Sequence, residues 1–203
     1  MIAWLSANEA LLSLAVNTAM LGVWIIYLQL LLNGYRRQRR SSILITRGAG
    51  SGPRSRCLIT NMSVEPIYVT SLIATMVSPA GRYEVALTDL RDLPEDLGAD
   101  PRSTMGQGSL VTGQYLDIGH FDDLLAELAQ DRPEAPAPET VTELQLVVVA
   151  LYGSSHHPVG AERHFALEPH EGIVRIVPRT VETQQLRSRR ARWNLRHQLA
   201  RHM

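Results

Sequence analysis

Lysine is absent from this chain, and all 20 of its lysine-or-arginine positions are arginine. Such a bias is typical of codon usage in a GC-rich bacterial genome, so the sequence predicts a bacterial source. It also has a chemical consequence, because each guanidinium is a planar fork that suits phosphate and carboxylate groups. Anionic lipids and acidic protein surfaces are therefore the partners that we expect for its arginine clusters.

Cysteine is almost absent as well, since Cys57 in the run RCLIT is the one cysteine of 203 residues. One cysteine forms no internal disulfide, so nothing in the sequence indicates an oxidising compartment. No histidine lies near Cys57 in sequence to activate it as a nucleophile. We therefore expect a buried, unreactive thiol.

Acidic residues are missing from both ends of the chain. Residues 10–64 hold seven arginines and no acid, and residues 183–203 hold six arginines, two histidines and no acid. Between them, residues 65–182 hold nineteen acids against seven arginines. An acidic body thus lies between two basic segments. Nucleic acid is an unlikely partner, because no recognised nucleic-acid module accompanies the basic ends.

The common catalytic motifs are absent too: G-x-S-x-G, H-E-x-x-H, C-x-x-C and G-K-S/T do not occur. The glycine-rich stretch GAGSGP is followed by a strand pattern rather than a helix, so it predicts a link between strands and not a phosphate loop. His156, His157 and His164 lack a further ligand at metal spacing, which favours a polar hairpin tip. We expect no enzyme activity, no cofactor and no metal.

Charge is also missing from residues 10–32, ALLSLAVNTAMLGVWIIYLQLLL. A helix of this length spans about 35 Å, enough for a hydrocarbon core of about 30 Å. Its aliphatic residues favour insertion by roughly 4 to 7 kcal/mol. A cleavable signal peptide is disfavoured, because residues 1–9 are not basic and the run is too long. The sequence predicts a retained transmembrane helix at 10–32.

The basic juxtamembrane segment, residues 33–42, predicts the orientation of this helix. It contains Arg36, Arg37, Arg39 and Arg40, whereas residues 1–9 contain no arginine. Arginine clusters stay on the cytoplasmic side of a membrane. We therefore expect an extracytoplasmic N-terminus of nine residues, a single pass through a bacterial inner membrane, and a cytoplasmic body.

Polar and aromatic residues follow one stripe of the predicted helix. Ser13, Asn17, Met20 and Trp24 are spaced by four, three and four residues, which places them on one face. Small and amide side chains favour helix association, although such hydrogen bonds average only about 0.6 kcal/mol. The stripe predicts self-association or docking on a larger membrane protein. The alternative is that Ser13 and Asn17 lie near the interface, where water reaches them.

Alternating periodicity replaces helical periodicity in residues 43–181, which predicts a β domain. The segment LVVVALY is apolar on both faces and is expected to form a central strand. One helix is predicted at 121–130. We expect a mainly β fold, an antiparallel β-sandwich of immunoglobulin-like character. Its eight predicted strands are 43–47, 55–61, 67–77, 82–88, 109–117, 142–152, 163–168 and 173–177.

The C-terminal segment, residues 182–203, predicts a basic helix with a narrow apolar stripe. Arg189, Arg190, Arg192 and Trp193 suit the headgroup zone of an anionic membrane. The alternatives are contact with a protein, including the acidic body itself, a solvated tail, and nucleic-acid binding.

Two functions follow from these features. The first is a non-catalytic membrane-anchored scaffold, whose β-sandwich binds an unknown protein or a second copy of the chain. The second is a small accessory subunit of a transporter, channel or respiratory complex, which docks through its transmembrane helix. An enzyme is a distant third, since its groups would have to be assembled by the fold alone.

Overall fold

The structure is a computed structural model, which describes residues 8–38, 40–89, 106–130, 134–153, 158–170 and 173–201. The chain divides into two compact units, residues 1–40 and residues 41–203. The second unit is called the body below. It contains the predicted β domain and also the C-terminal segment.

The described part of the first unit contains the helix α1, from Glu9 to Gln38. It contains the whole of the predicted span 10–32. Its apolar section, Glu9–Tyr35, is long enough and apolar enough to cross a membrane, and no part of the apolar window is buried within the protein. Leucine, isoleucine and valine side chains are exposed on all sides of the helix. By length and composition, α1 meets the requirement for a single membrane crossing.

The body contains two antiparallel sheets, so the prediction of a mainly β fold with antiparallel sheets is confirmed. The smaller sheet has three strands: β1 (Ile43–Arg47), β2 (Arg56–Asn61) and β6 (Tyr115–His120). They lie in the order β1-β2-β6. Among the described strands β1 pairs with β2 alone, so β1 is an edge strand. The immunoglobulin-like assignment stays a prediction.

The larger sheet has seven strands, in the order β10-β8-β7-β3-β4, with β5 paired to β3 and β9 paired to β8. β7 contains the run LVVVALY and lies in the middle of this order, as its two apolar faces predict. The seven strands are β3 (Ile67–Ser78), β4 (Gly81–Ala86), β5 (Gly108–Leu110), β7 (Glu143–Tyr152), β8 (Pro158–His170), β9 (Ile173–Pro178) and β10 (Gln184–Leu186).

The two sheets share one hydrophobic core, to which the helix α2 (Phe121–Ala129) also contributes. The rings of Phe121 and Phe165 meet edge to face, with their centroids 4.9 Å apart. Alternate residues of β1, β2, β6 and β7 point into this core, which is the pattern that the period of two predicted. Its residues include Ile43, Ile45, Cys57, Ile59, Val69, Leu72, Leu116, Ile118, Leu124, Leu128, Leu146, Val148 and Phe165.

A second, smaller cluster lies on the other face of the larger sheet. It joins Ile73, Val147 and Val149 to Leu195 of the last helix, α3 (Arg189–Arg201). Leu195 is 1% exposed. A Cβ atom added at Gly160 would lie 2.7 Å from its side chain. Gly160 therefore leaves the space in which Leu195 packs on β8.

Several strands differ from their sequence predictions. The predicted strand 109–117 is two strands, β5 and β6, separated by a turn in which Gly113 has a φ of +79°. β8 begins at Pro158, five residues before the predicted strand at 163. β10 lies in the segment 182–203, for which a helix was predicted; the helix begins only at Arg189, and QQL carries no apolar alternation that indicates a strand.

The body has two ends that matter below. The proximal end is the one at which the body begins: it holds Ser42, the loop 62–66 and the loop 111–114. The loops are joined there by hydrogen bonds, including those of Met62 N–H with the Ser42 carbonyl and of Gly113 N–H with the Asn61 carbonyl. The distal end holds the loop 48–55 and the start of β9, where Gly52 lies beside Ile173.

Candidate functional site

The outer edge of β1 is bonded by side chains instead of by another strand. Gln185 accepts a hydrogen bond from the Ile43 N–H at 3.1 Å and donates one to the Ile43 carbonyl at 2.6 Å. Thr183 accepts from the Ile45 N–H at 3.0 Å and donates to the Ile45 carbonyl at 3.2 Å. Each side chain thus pairs with a residue of β1 as a backbone amide would. The segment 183–185 closes an edge that would otherwise be open to pairing.

Two arginines complete this closure. The guanidinium of Arg163 donates to the Ile45 carbonyl and, at 3.1 Å each, to the carbonyls of Thr180 and Val181. Arg163 is 7% exposed. Burial lowers the pKa of Arg163 from its ordinary value, and its charge interaction with Cys57 opposes that change. Backbone carbonyl groups therefore hold a buried cation between β8, β1 and the chain that leads to β10.

Arg187 makes the second contact, since its guanidinium donates to the Ser41 carbonyl. Ser41 is the first residue of the body, and it directly follows Arg40 in sequence. Arg187 lies two residues before α3 begins. The contact therefore fixes the start of the basic C-terminal helix beside the point at which the chain enters the body.

α3 presents its predicted lipid-contact residues unequally. Arg190 is exposed, and Trp193 is 62% exposed. The centroids of the Trp193 and His197 rings are 3.9 Å apart. Arg192 is half-buried, and no hydrogen-bond partner of its Nε lies among the described residues. Of Arg189 the structure describes the backbone alone. Arg190 and Trp193 are thus the predicted lipid-contact residues of α3 whose side chains are exposed.

The apolar stripe of α3 is occupied by the body. Leu195 and Leu199 pack with the second cluster on the larger sheet, and Gln198 lies 3.3 Å from a carboxylate oxygen of Glu84. Contact with the acidic body was one of the alternatives for this segment. Any contact of α3 with lipid consequently uses its arginines and Trp193, because its leucines are already buried.

The juxtamembrane arginines lie around the end of α1. Arg40 is exposed. Arg39 lies outside the described residues, and for Arg36 and Arg37 the structure describes the helical backbone alone. Their assignment to headgroups stays a prediction.

The predicted association stripe lies on α1 and is accessible. Ser13 and Asn17 are exposed, Met20 is 54% exposed and Trp24 is 64% exposed. Trp24 meets Tyr27, three residues further along α1, edge to face with their ring centroids 6.3 Å apart. These side chains share one face, as the 4-3 spacing requires. What they contact stays a prediction.

Other candidate chemistry is arranged as structural contacts. His164 Nδ1 lies 2.6 Å from Glu143 Oε1, and Arg179 lies 3.4 Å from the other oxygen of Glu143. Cys57 is fully buried. His156 and His157 lie outside the described residues. Among the residues that the structure does describe, no three histidine, cysteine or acidic side chains form a metal-binding group.

The glycine-rich loop 48–55 connects two antiparallel strands, as its sequence predicted. Its neighbouring arginines are used within the body: Arg47 donates to the Ile176 carbonyl, Arg56 pairs with Asp117, and Arg54 lies 3.6 Å from Asp122. This loop forms part of the distal end.

Sequence reasoning missed the residues that close the edge of β1. One signal was available: polar residues two positions apart, which is typical of a strand with one polar face. These residues are Thr183, Gln185 and Arg187. Their partners lie about 140 residues away in sequence. No local pattern specifies such partners.

Comparison of the chain with protein-family models, with curated proteins and with solved structures finds no match.

Proposed function

We propose that this chain is a non-catalytic, single-pass protein of a bacterial inner membrane. In this proposal α1 crosses the membrane with its N-terminus outside. The body lies in the cytoplasm and acts as a protein-binding or scaffolding module. The arginines that flank the body hold it against anionic lipid.

The observation that carries the proposal is the contact of Arg187 with the Ser41 carbonyl. Two basic segments, 36–40 and α3, lie at opposite ends of the body's sequence, yet this contact fixes the start of α3 beside the residue that follows Arg40. Each cation near an anionic surface contributes about 1 kcal/mol. Arginines gathered at one end of the body reinforce one another, whereas arginines at opposite ends would compete for its orientation.

The exposed side chains of α1 support the membrane part of the proposal. The apolar window of Glu9–Tyr35 has none of its residues buried. Burial of apolar surface is favourable at about 25 cal/mol per Å². A bilayer covers all sides of such a helix at once, which a single docking partner in water does not.

The second candidate function is that of an accessory subunit of a membrane complex. Thr18 uses its hydroxyl within α1, where it donates to the Leu14 carbonyl at 2.8 Å. Ser13 and Asn17 instead are exposed on the stripe that also carries Trp24. In hydrocarbon, these polar groups favour a neighbouring helix that can pair with them.

Purification of the tagged full chain in a mild detergent, followed by identification of the proteins that accompany it, tests both functions. Under either proposal we expect one or a few defined partners, or a stable homo-oligomer, in stoichiometric amounts. Recovery of the chain alone as a monomer would contradict both. For variants that change Ser13 and Asn17, Thr18→Val is the matched control, because it changes a polar residue of α1 outside the stripe.

A further inference from the structure

The proximal end of the body exposes apolar side chains on two adjacent loops. Met62 is 56% exposed, Val64 is 65% exposed and Val111 is 48% exposed. Thr112 Oγ1 donates to the Val64 carbonyl at 2.8 Å, so the two loops are in direct contact. We call Met62, Val64 and Val111 the apolar tip.

The two loops of the apolar tip are joined by hydrogen bonds of Asn61, which is fully buried. Its carboxamide nitrogen donates to the Leu110 carbonyl at 2.9 Å and to the Glu65 carbonyl at 3.1 Å. Its carboxamide oxygen accepts from the Ser63 N–H at 2.8 Å. The bonding keeps the three side chains pointing away from the core.

The two loops of the apolar tip carry little charge themselves. Residues 111–114 are VTGQ, and residues 62–66 are MSVEP, in which Glu65 is the one charged residue. Glu65 is half-buried, and its carboxylate lies so close to Gly153 that a Cβ there would overlap it. The carboxylate therefore turns toward β7 rather than outward. Two exposed tyrosines flank the tip: Tyr68, 49% exposed on β3, and Tyr115, 60% exposed on β6.

The connection between α1 and the body is short, and this limits what the apolar tip can meet. Ser42 is bonded into the tip, since its N–H donates to Ser63 Oγ at 2.7 Å and its carbonyl accepts from the Met62 N–H at 2.8 Å. Only three residues separate Ser42 from Gln38, the last residue of α1. Four extended residues reach at most about 14 Å. Gln38 lies six helical residues, about 9 Å, beyond Leu32, the end of the predicted span, so Ser42 stays within about 23 Å of that end.

From these observations we infer that the apolar tip enters the lipid bilayer. Met62, Val64 and Val111 lie at the boundary of headgroups and acyl chains, and Tyr68 and Tyr115 lie at headgroup level, where amphipathic rings are favoured. The inference rests on the proposed function, because it needs α1 to cross the membrane. It adds an apolar contact to the arginine contacts and thereby fixes which end of the body faces the lipid.

Site-specific quenching in vesicles tests this contact. The full chain is reconstituted in phosphatidylethanolamine–phosphatidylglycerol vesicles, with an environment-sensitive fluorophore on V64C. Lipids spin-labelled at the headgroup, at a shallow acyl carbon or at a deep acyl carbon serve as quenchers. Cys57 is fully buried, and the unmutated chain measures any background labelling. Two further single-cysteine variants are compared: V23C in α1, which is 65% exposed, and I173C at the distal end, which is 61% exposed.

We expect shallow acyl quenching of V64C to exceed that of I173C by about threefold or more, since a depth of about 5 to 10 Å reaches those carbons. V23C should be quenched by the deep label. Deep quenching of V23C with equal, weak quenching of V64C and I173C would overturn the inference and leave the anchor intact. Absence of deep quenching at V23C would overturn the anchor, and the inference with it.

Two additional measurements keep the result specific to lipid. V111C repeats the test on the second loop, and introducing V64D into V111C should reduce its quenching severalfold while far-UV circular dichroism stays unchanged. A blue-shifted V64C emission that no lipid label quenches, and that disappears on dilution into excess lipid, would assign the tip to a second copy of the chain. That outcome would overturn the inference.

Discussion

Replacement of Gln185 tests whether side chains close the edge of β1. Gln185→Ala removes two hydrogen bonds to Ile43, at 3.1 and 2.6 Å, and leaves a partly buried N–H and carbonyl without these partners. An unsatisfied buried group costs about 1 to 3 kcal/mol, and partial exposure reduces that cost. We expect Gln185→Ala to lower the free energy of unfolding of the body by about 2 to 3 kcal/mol.

Gln185→Glu gives the prediction a pH signature. The ionised carboxylate keeps an acceptor for the Ile43 N–H but has no donor for the Ile43 carbonyl, which repels it. That repulsion raises the pKa of the introduced carboxyl in the folded state above its unfolded value of about 4.3. The folded state then binds more protons than the unfolded state, so the stability of this variant relative to the wild type falls as pH rises through that range and recovers on acidification.

Urea unfolding of the full chain in detergent micelles, followed by far-UV circular dichroism at pH 7 and pH 5, measures both effects. Gln184→Ala is the matched control, because Gln184 is exposed and adjacent, and we expect it to change stability by less than about 0.5 kcal/mol. The reasoning is refuted if Gln185→Ala behaves like this control. It is also refuted if the deficit of Gln185→Glu is the same at both pH values.

Three further variants test other parts of the account. Leu195→Ala should lower stability by about 2 to 4 kcal/mol and should speed tryptic cleavage within α3; unchanged proteolysis would mean that the helix does not depend on this contact. Asn61→Ala should cost about 2 to 4 kcal/mol by removing three hydrogen bonds under the apolar tip, which urea unfolding measures; a cost near zero would contradict its supporting role. Ser13→Leu combined with Asn17→Leu should abolish co-purification of a membrane partner if the chain is an accessory subunit, and unchanged recovery of that partner would count against this function.

The strands that sequence periodicity predicted well are those whose alternation is complete within one segment. β1 has the predicted bounds, and β7 has the predicted two buried faces. What covers the second face of β7 was not predictable, because Leu195 reaches Val147 and Val149 from a helix near the other end of the chain. A narrow apolar stripe on a basic helix fits lipid and protein equally well until its neighbour is known.

Glycine misled the sequence prediction in two opposite ways. Gly113 interrupts an apparent strand because its φ of +79° belongs to a turn, whereas Gly160 lies inside β8, where its missing side chain admits Leu195. The same residue type therefore ends one strand and continues another. Only the packing partner distinguishes the two cases.

The sequence predicted the candidate sites to different extents. The charge-free run 10–32 and its flanking arginines are local features, so a long apolar helix at this position followed directly from the sequence. The apolar tip was not recognised, because Met62, Val64 and Val111 come from two loops that are joined by Asn61 and Ser42. Loops widely spaced in sequence form one surface only after both sheets have formed.

Protease accessibility in sealed spheroplasts tests the central claim most directly. Trypsin is suited to the measurement because arginines lie on the exposed side of α3 and throughout the body. A membrane-anchored chain with a cytoplasmic body predicts that a C-terminally tagged body stays intact in sealed spheroplasts and is cleaved after permeabilisation or in inverted vesicles. Digestion of the body in sealed spheroplasts, or its recovery in the soluble fraction, would contradict the account.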